Sequence, residues 1–352
     1  MIADRIRRAR ILRGLSLDGL AQKLGDVTKQ GLSKYEQGKV TPNSTRLIQL
    51  AKALEVKPEY FFRKDSVSLA PLEFRKLAKM PRYRQEQVEE QIREHLERYI
   101  ELEKCFDAAD NSVPVMAPRS ISVISVEDAE NAASTLRDQW KIGGDAIANL
   151  TELLEEHGIK VALLSGCDDF DGACAATKDE EHVLVALNAS RPGERMRFTA
   201  AHELGHWVMA LPASMPEKIK ELCCHRFAGA FLYPAERVKT DFGHHQRSRV
   251  HPRELLNAKQ LYGVSMQVVL RRLKDLSLLS EPGYKSINIQ FSVNGWRKNE
   301  PGVFLSERPR RFESLVFWGL AEDIFTLSRA AEFLQQPVGT FDTSLSDPLG
   351  RE

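Results

Sequence analysis

Thr199-Ala200-Ala201-His202-Glu203-Leu204-Gly205-His206 constrains this chain more than any other stretch, because two imidazoles four residues apart converge only on a helix. At about 3.6 residues per turn, His202 and His206 share one face and can hold one metal ion, with Glu203 beside it. Two neutral imidazoles and a third protein ligand leave zinc one open position, where a bound water has a pKa of about 7 and a carboxylate can take its proton. The spacing therefore implies a zinc hydrolase of the metallopeptidase kind, with Zn2+ as cofactor and Glu203 as the catalytic base. Upstream, Val183-Leu184-Val185-Ala186-Leu187-Asn188 reads as a buried strand, and the polar stretch Ala189 to Glu194, with Pro192-Gly193, reads as a turn. Gly205 costs roughly 1 kcal/mol against Ala inside a helix, which predicts a close approach of backbone or substrate there.

Two histidines do not complete a metal site. Ser214-Met215-Pro216-Glu217 reads as a capping box with an early proline, which gives Glu217 a local duty at a helix start. Glu221, one turn on, shares a stripe with Cys224, His225 and Ala228 in a segment that reads as largely buried, where a carboxylate needs a partner. His202, His206 and Glu221 are thus the expected metal ligands. His225 or Cys224 as ligand, or Glu221 as a surface ion pair, are the alternatives.

The run Leu187-Asn188, then Arg195 to His206, then Arg226-Phe227-Ala228-Gly229-Ala230-Phe231-Leu232-Tyr233-Pro234 resembles the ImmA/IrrE family of bacterial and phage metallopeptidases. The resemblance spans roughly Asp128 to Leu279. It implies zinc dependence and the cleavage or displacement of helix-turn-helix repressors. Many members of the family carry Asn where this chain has His225, and their acidic residue often lies closer to that Asn than Glu221 does to His225.

The other end of the chain is different in kind. From Met1 to Asp65, fourteen Lys and Arg stand against seven Asp and Glu, a net of +7, whereas the whole chain is +1 and the remainder −6. Such an asymmetry marks the N-terminal segment as a nucleic-acid contact. Ile6, Ala9, Leu12 and Leu15 predict a first helix. Ser16 caps a second that carries Leu17, Leu20, Ala21 and Leu24 and ends at Gly25. Thr28 caps a third, running to Gly38, and Pro42 and Ser44 introduce a fourth. Helix-turn-helix spacing puts the start of the third helix in the major groove, so Thr28, Lys29, Gln30, Ser33 and Lys34 are the expected DNA contacts. The segment resembles the lambda-repressor-like, or Xre, class, most clearly at Ser33-Lys34-Tyr35-Glu36-Gln37-Gly38. Where that class has Gln early in the second helix, this chain has Leu17.

Between these modules, Leu72 to Phe106 reads as helical, broken at Pro81. Val88, Ile92, Tyr99, Leu102 and Phe106 lie near a coiled-coil seam that His95 interrupts, which suits a spacer helix packed on a neighbour or a dimer contact. Asn111 to Arg119 reads as an exposed linker. No apolar run reaches the roughly 18 residues of a membrane span, and the first helix is charged, so a cytoplasmic location is expected. Five cysteines without C-x-x-C spacing argue against a disulfide framework or a cysteine-rich zinc site. Leu255 to Leu279 reads as two helices around Tyr262-Gly263-Val264-Ser265, packed on the peptidase through Leu261, Val268, Val269, Leu270 and Leu273. Ile287-Asn288-Ile289-Gln290-Phe291 alternates as a strand, and Phe312 to Leu334 reads as mainly helical.

The resulting expectation is multidomain. It comprises an all-α lambda-repressor-like helix-turn-helix domain (1–65), a helical connector and linker (66–119), an α+β zincin-like metallopeptidase domain (120–280) and a mixed α/β C-terminal extension (281–352). The expected function is a DNA-binding transcriptional regulator whose zinc endopeptidase cleaves a repressor, or itself, on a stress signal. The alternative is a non-cleaving repressor or antitoxin-like protein whose zinc domain senses a signal. The expected partners are a double-stranded DNA operator, a repressor-type substrate or a toxin, and a second copy of the chain in a homodimer, with no membrane.

Overall fold

The computed structural model describes residues 2–63, 67–70, 80–106, 113 and 115–346, and the chain forms two compact units. One contains the described residues of 1–111, 177–179 and 315–352, the other those of 112–176 and 180–314. The part of the connector at 71–79, and 111, 112 and 114 of the linker, lie outside the described residues.

The first unit begins with four short helices, α1 (Ile2–Leu12), α2 (Leu17–Leu24), α3 (Lys29–Glu36) and α4 (Ser44–Leu54). Their starts are set by side chains that accept backbone N–H groups: Ser16 from Gly19 at 2.9 Å, Thr28 from Gly31 at 3.2 Å and Asn43 from Arg46 at 2.9 Å. Each such cap contributes about 1 kcal/mol. Gly25 closes α2 at φ 80°, a left-handed position that favours glycine. Ile6, Leu20, Leu32, Leu50, Leu54 and Phe61 make a shared core.

The connector helix α5 (Arg82–Glu103) buries Val88, Ile92, Tyr99 and Leu102, the seam read from the sequence, and packs on α1 of the same chain. The contact is ionic as well as apolar: Arg8 meets Glu90 at 2.5 Å and Glu97 at 3.0 Å, and Arg5 meets Glu97 at 2.8 Å, all buried. Removing one partner of such a group strands a buried charge, typically at about 3–5 kcal/mol.

In the second unit, β1 (Ile121–Ser122), α6 (Val126–Gln139) and α7 (Leu150–Glu156) precede a three-stranded sheet. Its strands β2 (Ile159–Leu164), β3 (Gly172–Ala176) and β4 (Val183–Asn188) lie in the order β2-β4-β3, with β4 parallel to β2 and antiparallel to β3. Every residue of β4 is buried, as an unbroken apolar run at a sheet centre requires. Buried Asn188 ends the strand: its amide donates to the carbonyls of Cys167 and Phe170, and its oxygen accepts from the Ser190 N–H and hydroxyl. That turn feeds α8 (Gly193–Val208), after which β5 (Met209–Ala210) pairs with β1.

Next come α9 (Glu217–Leu232), α10 (Ala235–Phe242), α11 (Pro252–Tyr262), α12 (Met266–Asp275) and α13 (Glu281–Val293). Two local expectations are corrected here. Ser214 and Glu217 form no capping box: α9 starts after Pro216 with no side-chain cap, because the residue before a proline, Met215, is kept out of the helical region. Ile287 to Phe291 is helix, not strand, and among the described residues of 281–346 there is no strand, so this part of the C-terminal extension is helical rather than mixed. Ser280 caps α13 ahead of a first-turn proline, and Ile287 and Phe291, four residues apart, are buried while Ile289 is exposed; the helical period outweighs the alternation. Around Tyr262 to Ser265, Gly263 is left-handed at φ 63° and Ser265 caps α12, whose Val269, Leu270 and Leu273 are buried; Leu261, by contrast, faces solvent.

The chain continues through α14 (Arg311–Ala321), α15 (Leu327–Phe333) and α16 (Val338–Ser346), and from Leu315 it belongs to the first unit. There it returns to α5 and the turn after it: Trp318 lies against Phe106 at 4.9 Å, Arg98 donates to the Phe333 carbonyl at 2.5 Å, and Arg329 pairs with Glu101.

Candidate metal centre and helix-turn-helix face

α8 carries His202 and His206 to one point, their Nε2 atoms 3.1 Å apart. α9 brings Glu221 to the same point, its carboxylate oxygens 3.3 Å from His202 Nε2 and 3.4 Å from His206 Nε2. Zinc held by nitrogen and oxygen at roughly 2.0–2.1 Å in a tetrahedron spaces its ligands about 3.3–3.4 Å apart. The two histidine nitrogens, and the Glu221 oxygens that face them, Oε2 towards His202 and Oε1 towards His206, stand at about that spacing, and the residue types fit the ion.

Glu203 is nearly fully buried and its Oε2 accepts the Cys174 N–H, from edge strand β3, at 3.1 Å. The sheet thus fixes the carboxylate that follows His202 on α8. Two further donors on α9 approach the cluster. The ligand atoms of His202, His206 and Cys224 lie within 4.8 Å of one another, as do those of His202, Glu221 and His225. Cys224 is buried; His225 is exposed and stacks on Phe198 at 5.9 Å. A cavity of 180 Å³, lined by Phe198, Leu222, His225, Gly229 and Val268 among others, shares His225 with this group.

The approach of α8 to α9 depends on Gly205. A Cβ there would lie 2.9 Å from Phe227 Cδ1, so what comes close at this glycine is a side chain of α9 and not the backbone or substrate that the sequence led one to expect. α9 is also clamped from behind. Glu130 of α6 accepts from Arg226 and doubly from Arg272, each at 2.6 Å. Burial alone would raise the Glu130 pKa, but the hydrogen bonds and charges of Arg272 and Arg226 hold it below the usual value.

In the first unit, α3 presents the other set of expected contacts. Thr28, Lys29, Gln30 and Lys34 are exposed and Ser33 partly so, all at the start or on the outer side of the helix, while Leu32 points into the core. Lys29 pairs with Asp18 at 2.7 Å, and Ser33 accepts from Gln37 at 3.0 Å.

Two family models match the chain: a helix-turn-helix model over residues 6–61, and the IrrE N-terminal-like domain of peptidase family M78 over residues 154–274. The chain carries a helix-turn-helix domain and an IrrE-like peptidase domain. The helix-turn-helix part is similar to the HTH-type transcriptional regulator y4wC of Sinorhizobium fredii, 41% identical over 61 residues, covering 17% of this chain and 42% of that protein. It is also similar to a transcriptional regulator in the ATPase CF(0) region of Rhodospirillum rubrum, 38% identical over 61 residues, covering 17% of this chain and 56% of that one. The chain therefore spans about half the length of the curated relatives it matches. Among solved structures, ComR from S. thermophilus, in complex with DNA and its signalling peptide ComS, aligns over 99% of this chain and 100% of its own at 12% identity, with a TM-score of 0.19, at which no likeness of fold is established.

The match to the IrrE-like domain contains all the donors described above. Sequence reasoning missed the residues that hold them: Cys174, whose amide fixes Glu203, and Glu130, which clamps α9 through Arg226 and Arg272. Both act across more than 25 residues, and neither has a local pattern that would have marked it. Among the described residues, no helix is long and apolar enough to cross a membrane.

Proposed function

We propose that this protein is a DNA-binding transcriptional regulator whose IrrE-like domain is a zinc-dependent endopeptidase that cuts a repressor-type protein, or its own chain, in response to a stress signal. The observation that carries the reading is the triangle of His202, His206 and Glu221 at tetrahedral ligand spacing with Glu203 beside it. His202, His206 and Glu221 would hold the ion, which when bound lowers the pKa of water and polarises a scissile carbonyl. Glu203, anchored by the Cys174 amide, takes the proton of the attacking water and passes it to the leaving amine. The apolar cavity beside His225 suits an apolar substrate side chain, and a 480 Å³ cavity in the first unit, lined by Tyr60, Arg63, Glu94, Arg98 and Glu332 among others, has the size of a small-molecule signal site.

The exposed start of α3, Thr28, Lys29, Gln30, Ser33 and Lys34, reads the operator in this account, as a homodimer on a roughly palindromic site. Action on DNA puts the protein in the cytoplasm. The proposed domain borders are those read from the sequence, 1–65, 66–119, 120–280 and 281–352. A second reading, a non-cleaving sensor or antitoxin-like repressor, is favoured by one observation: Cys224 stands close enough to the histidines to compete for the position a hydrolase keeps open. Glu203→Gln separates the two. The variant should keep zinc and DNA binding but lose induction of a promoter reporter under the inducing stress, whereas normal induction would support the sensor.

A further inference from the structure

The donors around His202 outnumber those a hydrolytic zinc site uses. Such a site takes three protein ligands and leaves one position to water, whereas a structural site takes four and is closed. His202, His206 and Glu221 supply three. Cys224 lies three residues after Glu221 on the same side of α9, is fully buried, and places its Sγ within 4.8 Å of a ring nitrogen of each histidine. Its neighbour Cys223 is directed elsewhere, with Sγ 3.6 Å from the Ser125 carbonyl. His225, the other surplus donor, is exposed and stacked on Phe198, which places it on the rim.

We propose that Cys224 is the fourth protein ligand, so that the resting site is coordinatively closed. This inference rests on the metal reading above. Burial favours it: Cys224 is fully buried at the histidines, and the thiol faces the donor cluster rather than solvent. The consequence is latency. While the Cys224 thiolate holds the fourth corner there is no position for the water that Glu203 would deprotonate, and cutting requires the thiolate to withdraw.

Cobalt titration of the metal-free, full-length protein tests this. The wild type should bind one Co2+ with the visible bands of a tetrahedral site and an intense near-ultraviolet thiolate-to-cobalt charge-transfer band. Cys224→Ser and Cys224→Ala should keep the visible bands and lose the near-ultraviolet one, and their zinc affinity should drop by more than the roughly 10–100-fold that loss of a supporting contact costs. Visible bands without the near-ultraviolet band in the wild type, or a band that survives in both variants, would overturn the role of Cys224 and leave the metal site standing. Failure of the wild type to bind cobalt would overturn both.

Discussion

Gly205→Ala puts a methyl group at a tight contact between the two helices that carry the candidate metal donors. The new Cβ would stand 2.9 Å from Phe227 Cδ1 and 3.4 Å from Met209 Cε. Two effects oppose each other. Alanine is favoured over glycine in a helix interior by about 1 kcal/mol, whereas overpacking a tight core costs about 1–3 kcal/mol. The sign depends on whether the Phe227 ring can yield. It is fully buried and stacked on fully buried Phe231, ring centroids 5.6 Å apart, so it cannot retreat without moving α9. The clash should win, with a net loss of about 1 kcal/mol in the urea unfolding of the metal-free protein. The same displacement spreads donors now 3.1–3.4 Å apart. A penalty of about 1.4 kcal/mol on binding corresponds to a tenfold weaker zinc affinity, measurable by competition with a chromophoric chelator. A variant about 1 kcal/mol more stable than the wild type, with unchanged zinc affinity, would refute the argument that this glycine sets the spacing of the site.

Lys34→Ala should weaken specific and non-specific DNA binding alike and lessen its salt dependence, whereas Gln30→Ala should cost roughly 1–3 kcal/mol of discrimination at one base pair; gel-shift titrations over a salt series check both. In α5, burial of its Nε2 and the adjacent Arg98 push the His95 pKa down to about 3. The unfolded chain therefore binds a proton below about pH 6.5 that the folded one refuses, and stability should fall with pH from there towards 3 at a slope approaching 1.4 kcal/mol per unit. Glu90 and Glu94, held above their usual pKa by burial, act in the opposite sense. The readout is thus the difference between wild type and His95→Gln, whose decline should be shallower; parallel acid profiles would remove His95 from the account.

What was legible in the sequence was whatever is decided within one turn or one strand. Ser16 and Thr28 cap helices because hydroxyls at those positions accept N–H groups three residues away, and Val183 to Asn188 forms a strand because an apolar run followed by Pro192-Gly193 has few other options. The convergence of His202 and His206 follows from helical geometry alone, and Glu221 was reachable as a carboxylate on a largely buried stripe. Less legible were features set by contacts distant in sequence. Ile287 to Phe291 alternates in polarity yet is helical because Ile287 and Phe291 are buried on one face. Leu261 is apolar yet exposed. The Cys174 amide that orients Glu203, and the Glu130 carboxylate under Arg226 and Arg272, belong to elements whose packing no local spacing encodes.

Metal analysis of the purified, full-length protein tests the central claim most directly. One zinc per chain is expected in the wild type and in Glu203→Gln, which alters the base and no ligand, and zinc should be lost from His202→Ala/His206→Ala. Stoichiometric zinc retained by that double variant, or none in the wild type after growth and purification with zinc present, would contradict the site built on His202, His206 and Glu221.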